Sequence, residues 1–153
     1  GRKPLTDCKA EFEAVYEPGI LQAITYDENG IELGRSVLKT NGKEVLLAVQ
    51  PEKLLIRAAE DALVYIPIQL VDEEGVLRMN TEKRINVRVS GAGELLALGS
   101  ARYENEETFQ SMAHLSWRGS VLAIVRSTGK PGRITVTASA DGCEDATAEI
   151  RCE

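Results

Sequence analysis

The chain has 153 residues and a formal net charge of −6, with 43% hydrophobic and 27% charged residues. That length allows one ordinary domain or two small ones, and the composition is that of a soluble globular protein. The acidic balance and scattered Lys and Arg argue against nucleic acid as a partner, and no run approaches the ~18 apolar residues of a membrane span.

The first residues, GRKPLTDCKAEFEA, have no apolar core, so no signal peptide is read there. The expectation is either an intracellular protein or a piece of a longer one. Phe12, Ala14 and Tyr16 alternate with Glu11, Glu13 and Glu17, so Lys9 to Tyr16 reads as a strand with one wet face. Pro18-Gly19 turns it into a second strand, Ile20 to Tyr26. Asp27-Glu28-Asn29-Gly30 is a hairpin signal, because Asn-Gly readily supplies positive φ. Ile31 to Thr40 is the third strand, Asn41-Gly42 another turn, and Val45 to Val49 the fourth. Four short strands make a poor independent core. Residues 1–50 therefore either pack on the second half or are the tail of a larger domain, with a boundary at Pro51-Glu52-Lys53.

Residues 51–153 read as a fuller unit. Leu54 to Arg57 is a short strand. Leu63 to Val71 is the strongest, with Val64, Ile66, Ile68 and Leu70 on one face; Pro67 lacks a ladder donor and predicts an edge or bulge there. Asp72-Glu73-Glu74-Gly75 turns. Arg84 to Ser90 follows, with Ile85, Val87 and Val89 on one face, and is the strand around which the others are expected to pack. It breaks at Gly91-Ala92-Gly93 and resumes as Leu95 to Leu98. Glu106 to Leu115 is read as an ordered loop, with one or two helical turns placing Phe109, Met112 and Ala113 on one side as the alternative. Ser120 to Ser127, Ile134 to Ala138 and Ala146 to Cys152 are further strands, separated by turns at Thr128–Gly132 and Ala140–Gly142. Short strands with turn signals every 8–12 residues or so fit an immunoglobulin-like β-sandwich. A parallel α/β fold is disfavoured because no long amphipathic run lies between the strands.

The cysteines are Cys8, Cys143 and Cys152. Cys143 and Cys152 flank one strand, which would hold them about 30 Å apart, while a disulfide needs Cα atoms within about 7 Å. A bond from Cys8 to Cys143 or Cys152 is left open by the spacing, and three free thiols are the expectation. The spacing matches no zinc pattern, and the single histidine, His114, excludes multi-histidine metal sites.

No motif carries a complete chemistry. Gly91-x-Gly93 lacks the third glycine of a dinucleotide fingerprint, since Leu96 stands there, and no helix N-terminus follows to hold a phosphate. The glycines read as a sandwich corner or bulge. Glu104, Asn105, Glu106 and Glu107 supply oxygens but not the alternating spacing of a calcium loop. Ser36, Ser111 and Ser116 sit in no nucleophile elbow, and His114 reads as a packing or loop residue. No catalytic residue, metal ligand or cofactor site is assigned. Tyr103 and Trp117 are the aromatics of one loop-like stretch. They read as an interdomain contact or, less simply, as a platform on which sugar C–H faces stack.

Larger patterns resemble a known family. They are Leu63-Val64-Tyr65-Ile66 with Val71-Asp72-Glu73-Glu74-Gly75, then Val89-Ser90-Gly91-Ala92-Gly93-Glu94-Leu95. Glu104 to Phe109, Trp117 to Ser127 and Pro131 to Val136 continue the series. It is similar to the C-terminal immunoglobulin-like domain of glycoside hydrolase family 2 enzymes of the bacterial beta-galactosidase type. Tyr16 to Ala23 and Leu38 to Gly42 resemble the end of the preceding immunoglobulin-like domain, which implies that residues 1–50 are the C-terminal part of an incomplete immunoglobulin-like domain. The resemblance implies a non-catalytic accessory piece of a larger glycosidase, whose two catalytic glutamates lie in a (β/α)8 barrel absent here. The implied partners are that barrel and the other sandwiches, a second subunit through dimer contacts, and carbohydrate only indirectly. The rival readings are a carbohydrate-binding module and a bacterial surface or adhesion immunoglobulin-like domain. An apolar patch is expected on residues 8–50, where lost neighbours would pack.

Overall fold

The computed structural model describes residues 1–4 and 6–153, and every regular element among them is a β-strand. The chain divides into two units, Gly1–Thr40 and Asn41–Glu153. The division therefore falls ten residues before the boundary read at residue 51.

The first unit is an antiparallel hairpin of β1 (Ile20–Tyr26) and β2 (Glu32–Lys39). The turn between them forms because Asp27 Oδ1 accepts the N–H groups of Asn29 and Ile31, at 2.9 and 2.7 Å, and Gly30 takes a φ of 81°. Lys9 to Tyr16, expected as a strand, is irregular. Alternation of side chains is only half of what a strand needs; a neighbouring ladder must take up its N–H and C=O groups, and the ladder found near it is the small Thr6–Lys9 bridge. The expected apolar exposure is present: Phe12, Val15, Tyr16, Leu21, Leu33 and Leu38 are all open to solvent.

The second unit is a two-layer sandwich. One sheet has the order β4 (Leu55–Ile56), β11 (Ala146–Cys152), β10 (Gly132–Ala140), β6 (Arg84–Gly91), β8 (Ala113–Leu115). The other has β3 (Leu46–Val49), β5 (Leu63–Val71), β9 (Ser120–Ser127), β7 (Gly93–Gly99). The period-two faces meet between the layers. Val64, Ile66, Ile68 and Leu70 of β5 and Val125 of β9 face Ile85 of β6 and Ile134 and Val136 of β10, all fully buried. The β6–β7 connection changes sheets at Gly91-Ala92-Gly93, the corner expected there. Gly91 has a φ of 87°, and a Cβ on it would sit 2.0 Å from the carbonyl oxygen of Arg133.

Two local outcomes depended on pairing. β3, assigned by sequence to the first half, ladders with β5 through Leu46–Val71 to Val49–Ile68 and belongs to the sandwich. Pro67 sits in a central strand, yet on the side of its missing donor β3 has ended, and its carbonyl accepts from Gln50 N at 3.0 Å. Glu52 N also donates to the Tyr65 carbonyl at 3.0 Å, so the chain beyond β3 still runs alongside and the proline costs the ladder only the bond its own N–H would have made. Cys143 donates to the Val45 carbonyl and Cys152 is buried beside Ser127 Oγ; the cysteines are free thiols.

Candidate functional site

The segment from Ser100 to Met112 connects β7 to β8 without regular structure. Its shape comes from a cluster of polar groups centred on His114. This side chain points into the sandwich end, opposite Ile85, and is fully buried. Its Nδ1 lies 3.1 Å from the Leu115 carbonyl and 3.2 Å from Glu107 Oε2, both acceptors. Its Nε2 lies 3.1 Å from the Asn105 amide nitrogen, a donor. That pattern is satisfied by a ring with its proton on Nδ1 and a lone pair on Nε2.

Asn105 is in turn oriented by Glu107: its Oδ1 accepts from Glu107 N at 3.1 Å and its Nδ2 donates to the Glu107 carbonyl at 3.3 Å. Glu107 uses both carboxylate oxygens. One accepts from Leu115 N at 2.9 Å and the other meets Arg84 at 2.5 Å. The Leu115 amide, more than Arg84 or His114, holds its carboxyl below the ordinary value of 4.5, against the opposing effect of burial. Phe109 closes the group, its ring parallel to that of His114 with centroids 6.3 Å apart.

These groups are occupied with one another, and their effect is to hold a loop. The loop frames an open depression of about 730 Å³ lined by Arg84, Arg102, Tyr103, Glu104, Glu106 and Glu107, among others. Tyr103 is 85% exposed on its rim. Trp117 is not part of the lining. It opens the tight β8–β9 turn, where Trp117 and Ser120 exchange backbone hydrogen bonds at 3.0 Å and Arg118 and Gly119 both take positive φ. The Arg102 guanidinium lies 4.8 Å from the centre of the Trp117 ring and is anchored by Glu82 at 2.9 Å, so one face of the indole is covered.

Sequence reading singled out Tyr103 and Trp117 but missed the strand β8 and the Asn105–Glu107–His114 cluster. Ala113, His114 and Leu115 do alternate in burial, but three residues give too short a period to recognise beside an acidic loop. Asn105, Glu107 and His114 are all visible in sequence, yet their meeting depends on the loop returning to β6.

The fold and this loop define an all-β protein of the immunoglobulin-like sandwich class. Residues 47–149 match the family described as glycoside hydrolase family 2 C-terminal domain 5, and the chain belongs to that family. It is 24% identical over 152 residues to the beta-galactosidase BoGH2A of Bacteroides ovatus, covering 99% of this chain and 18% of that protein. A solved glycosyl hydrolase family 2 member from Bacteroides cellulosilyticus matches with a TM-score of 0.84 and 31% identity, over 92% of this chain and 18% of that one. A beta-glycosidase from Bacteroides vulgatus matches at 0.82 with 19% identity, over 89% and 18%, a likeness of fold. The chain spans less than a fifth of the length of these relatives.

Proposed function

We propose that this chain is a non-catalytic C-terminal accessory domain of a beta-galactosidase-like family 2 glycoside hydrolase, serving carbohydrate metabolism as a scaffold. The observation that carries this reading is the match of residues 47–149 to a C-terminal domain of that family. Its partners are then the remaining domains of a glycosidase that hydrolyses O-glycosyl bonds, and carbohydrate is met only through them. The disposition of two carboxylates, Asp72 and Glu107, is consistent with the assignment. Glycoside hydrolysis needs two carboxyl groups flanking a cleft about 5 to 9 Å apart, free to exchange protons or attack. Asp72 is buried, with Oδ1 accepting from Glu74 N and Val76 N and Oδ2 from Gly42 N. Glu107 is committed to Leu115 and Arg84. Both brace backbone.

The test is an assay on aryl β-D-galactosides of the purified chain beside the longer protein that contains it. Turnover is expected only from the longer protein. Hydrolysis by the 153-residue chain alone would refute the accessory reading.

The exposure of Tyr103 at the rim of the depression favours a second reading, in which this loop touches glycan directly. Calorimetric titration with galactosides would then detect binding that Tyr103→Ala removes and Trp117→Phe retains.

A further inference from the structure

The two outer faces of the sandwich differ in chemistry. On the sheet containing β6, β10 and β11, the outward positions include Arg84, Asn86, Arg88, Thr135, Thr137 and Glu149, a wet face. On the other sheet, the residues that alternate with the buried Val64, Ile66, Ile68, Val121, Ala123 and Val125 are Leu63, Tyr65 and Pro67 of β5 and Leu122 and Ile124 of β9, continued by Ala97 of β7, with the polar pair Gln69–Ser120 at one end and Arg126 at the other. These neighbours form one apolar surface: Tyr65 pairs with Ile124, Pro67 with Leu122, and Ala97 with Ile124 from the other side. Tyr65 and Leu122 are 42% and 40% exposed. The charges at its margin, Glu94 and Arg126, are paired with each other at 2.5 Å. A sheet that faces water on its outer side alternates apolar with polar, and between the Gln69–Ser120 pair and Arg126 β5 and β9 do not.

We infer that the outer face of the β3–β5–β9–β7 sheet is the surface by which this domain docks on another domain of the same longer polypeptide. The inference rests on the proposed accessory role and names the face that serves it. Contiguous exposed apolar surface marks an interaction site. Two observations choose the occupant. The relatives carry over four-fifths of their length outside the region matched here, so a neighbouring domain is tethered to this one at an effective concentration on the order of millimolar. A second copy of the chain brings another −6 of charge, and this face, whose marginal charges are already neutralised in place, offers nothing to offset that repulsion. The partner surface is accordingly apolar and close to neutral, able to cover Tyr65 and Leu122 without stranding a charge.

The experiment is side-chain footprinting of the isolated chain and of the longer protein, with sedimentation of the isolated chain to fix its oligomeric state. The expected result is a monomer that labels readily at Tyr65 and Leu122, and a longer protein in which both lose their labelling several-fold while Thr135 and Thr137 do not. Equal labelling of Tyr65 in both would overturn the inference. So would an isolated chain that dimerises and reverts to monomer on Tyr65→Glu, because the occupant would be a second copy. Tyr65→Glu is also expected to lower the melting temperature of this domain in the longer protein and leave the isolated chain unchanged; Thr135→Glu, on the wet face, is expected to do neither. A longer protein that hydrolyses no glycoside would refute the accessory reading instead, and the footprint would judge the face independently.

Discussion

The same five-residue turn occurs twice in this chain, once in each unit. Asp27-Glu28-Asn29-Gly30-Ile31 closes the hairpin, and Asp72-Glu73-Glu74-Gly75-Val76 follows β5 in the sandwich. In both, the aspartate Oδ1 accepts from the residues two and four positions on, at 2.9 and 2.7 Å. In both, the glycine donates to the aspartate carbonyl, at 3.1 and 3.0 Å, and has a φ near 80°, 81° and 78°. The local geometry is matched, but the surroundings are not. Asp72 is 2% exposed and its second oxygen also holds Gly42 from the chain entering the sandwich. Asp27 is only half-buried at the turn of its hairpin, where water can replace it. The comparison separates what a turn needs from what a core adds: identical local bonding carries different energetic weight according to whether solvent can substitute for it.

The largest test of that contrast is in the core. Ile66 is fully buried between the sheets, and Ile66→Ala is expected to cost about 3 kcal/mol through lost transfer energy and the cavity left behind. Leu38→Ala on β2, where the side chain is 68% exposed, should stay within about 0.5 kcal/mol. Urea denaturation of both variants checks the pair, and equal losses would show that the hairpin has a packed core of its own.

The glycines sharpen the point. Gly91→Ala must relieve a Cβ placed 2.0 Å from the Arg133 carbonyl oxygen as well as the cost of positive φ. It should destabilise by well over the roughly 1–2 kcal/mol that left-handed backbone alone costs an L-residue. Gly30→Ala, with a φ of 81° and nothing within 4 Å, meets the backbone cost alone. The two melting curves should differ accordingly.

The matched turns give the third comparison. Asp72→Ala leaves three backbone N–H groups without their acceptor and should cost about 2 kcal/mol. Asp27→Ala, removing two bonds at a solvated tip, should cost a few tenths. Hydrogen exchange at Val76 and Ile31 would read each effect locally, and a loss at Asp27 as large as at Asp72 would break the argument from burial.

The smallest effect depends on pH. The folded state holds the Glu107 carboxyl below its ordinary value, so folding favours the ionised form. Its contribution is present above the unfolded value near 4.5 and is lost as the pH falls through the depressed folded value. Glu107→Gln should lower stability by about 1 kcal/mol at neutral pH, with the gap from wild type closing as the pH drops below about 4.5. Glu32 on the hairpin is also held low, by its hydrogen bond to Arg35, but it is exposed. Glu32→Gln should leave the acid transition where it is.

Much of the sandwich was legible from residues. The strand from Leu63 to Val71 and that from Ser120 to Ser127 begin and end where alternation and turn residues place them, because a buried face imposes period two on the chain itself. The turn at Asn29-Gly30 and the corner at Gly91 were legible for a similar reason: each depends on backbone conformations that few residues adopt. Leu46–Val49 was recognisable as a strand, but nothing within four residues says that its ladder partner is β5 and not the hairpin. Lys9 to Tyr16 shows the converse, a strand pattern without a neighbour to pair with. Of the candidate site, Tyr103 and Trp117 were visible as aromatics, while the Asn105–Glu107–His114 cluster was not, since its members are ordinary surface residue types until the loop folds back on Arg84.

Sequence by itself determined that this is a β protein, which faces of its main strands are apolar, and where the chain turns, for these follow from interactions among residues close together along the chain. Tertiary structure alone decided which sheet each strand joins, that Asp72 is buried while Asp27 is not, and that Arg84, Glu107 and His114 share one cluster. Arg84 meets Glu107 across 23 positions and Asp72 holds Gly42 across 30, where no local pattern distinguishes one partner from another; Glu107 and His114 are only seven apart, yet they meet because the loop between them folds back on β6.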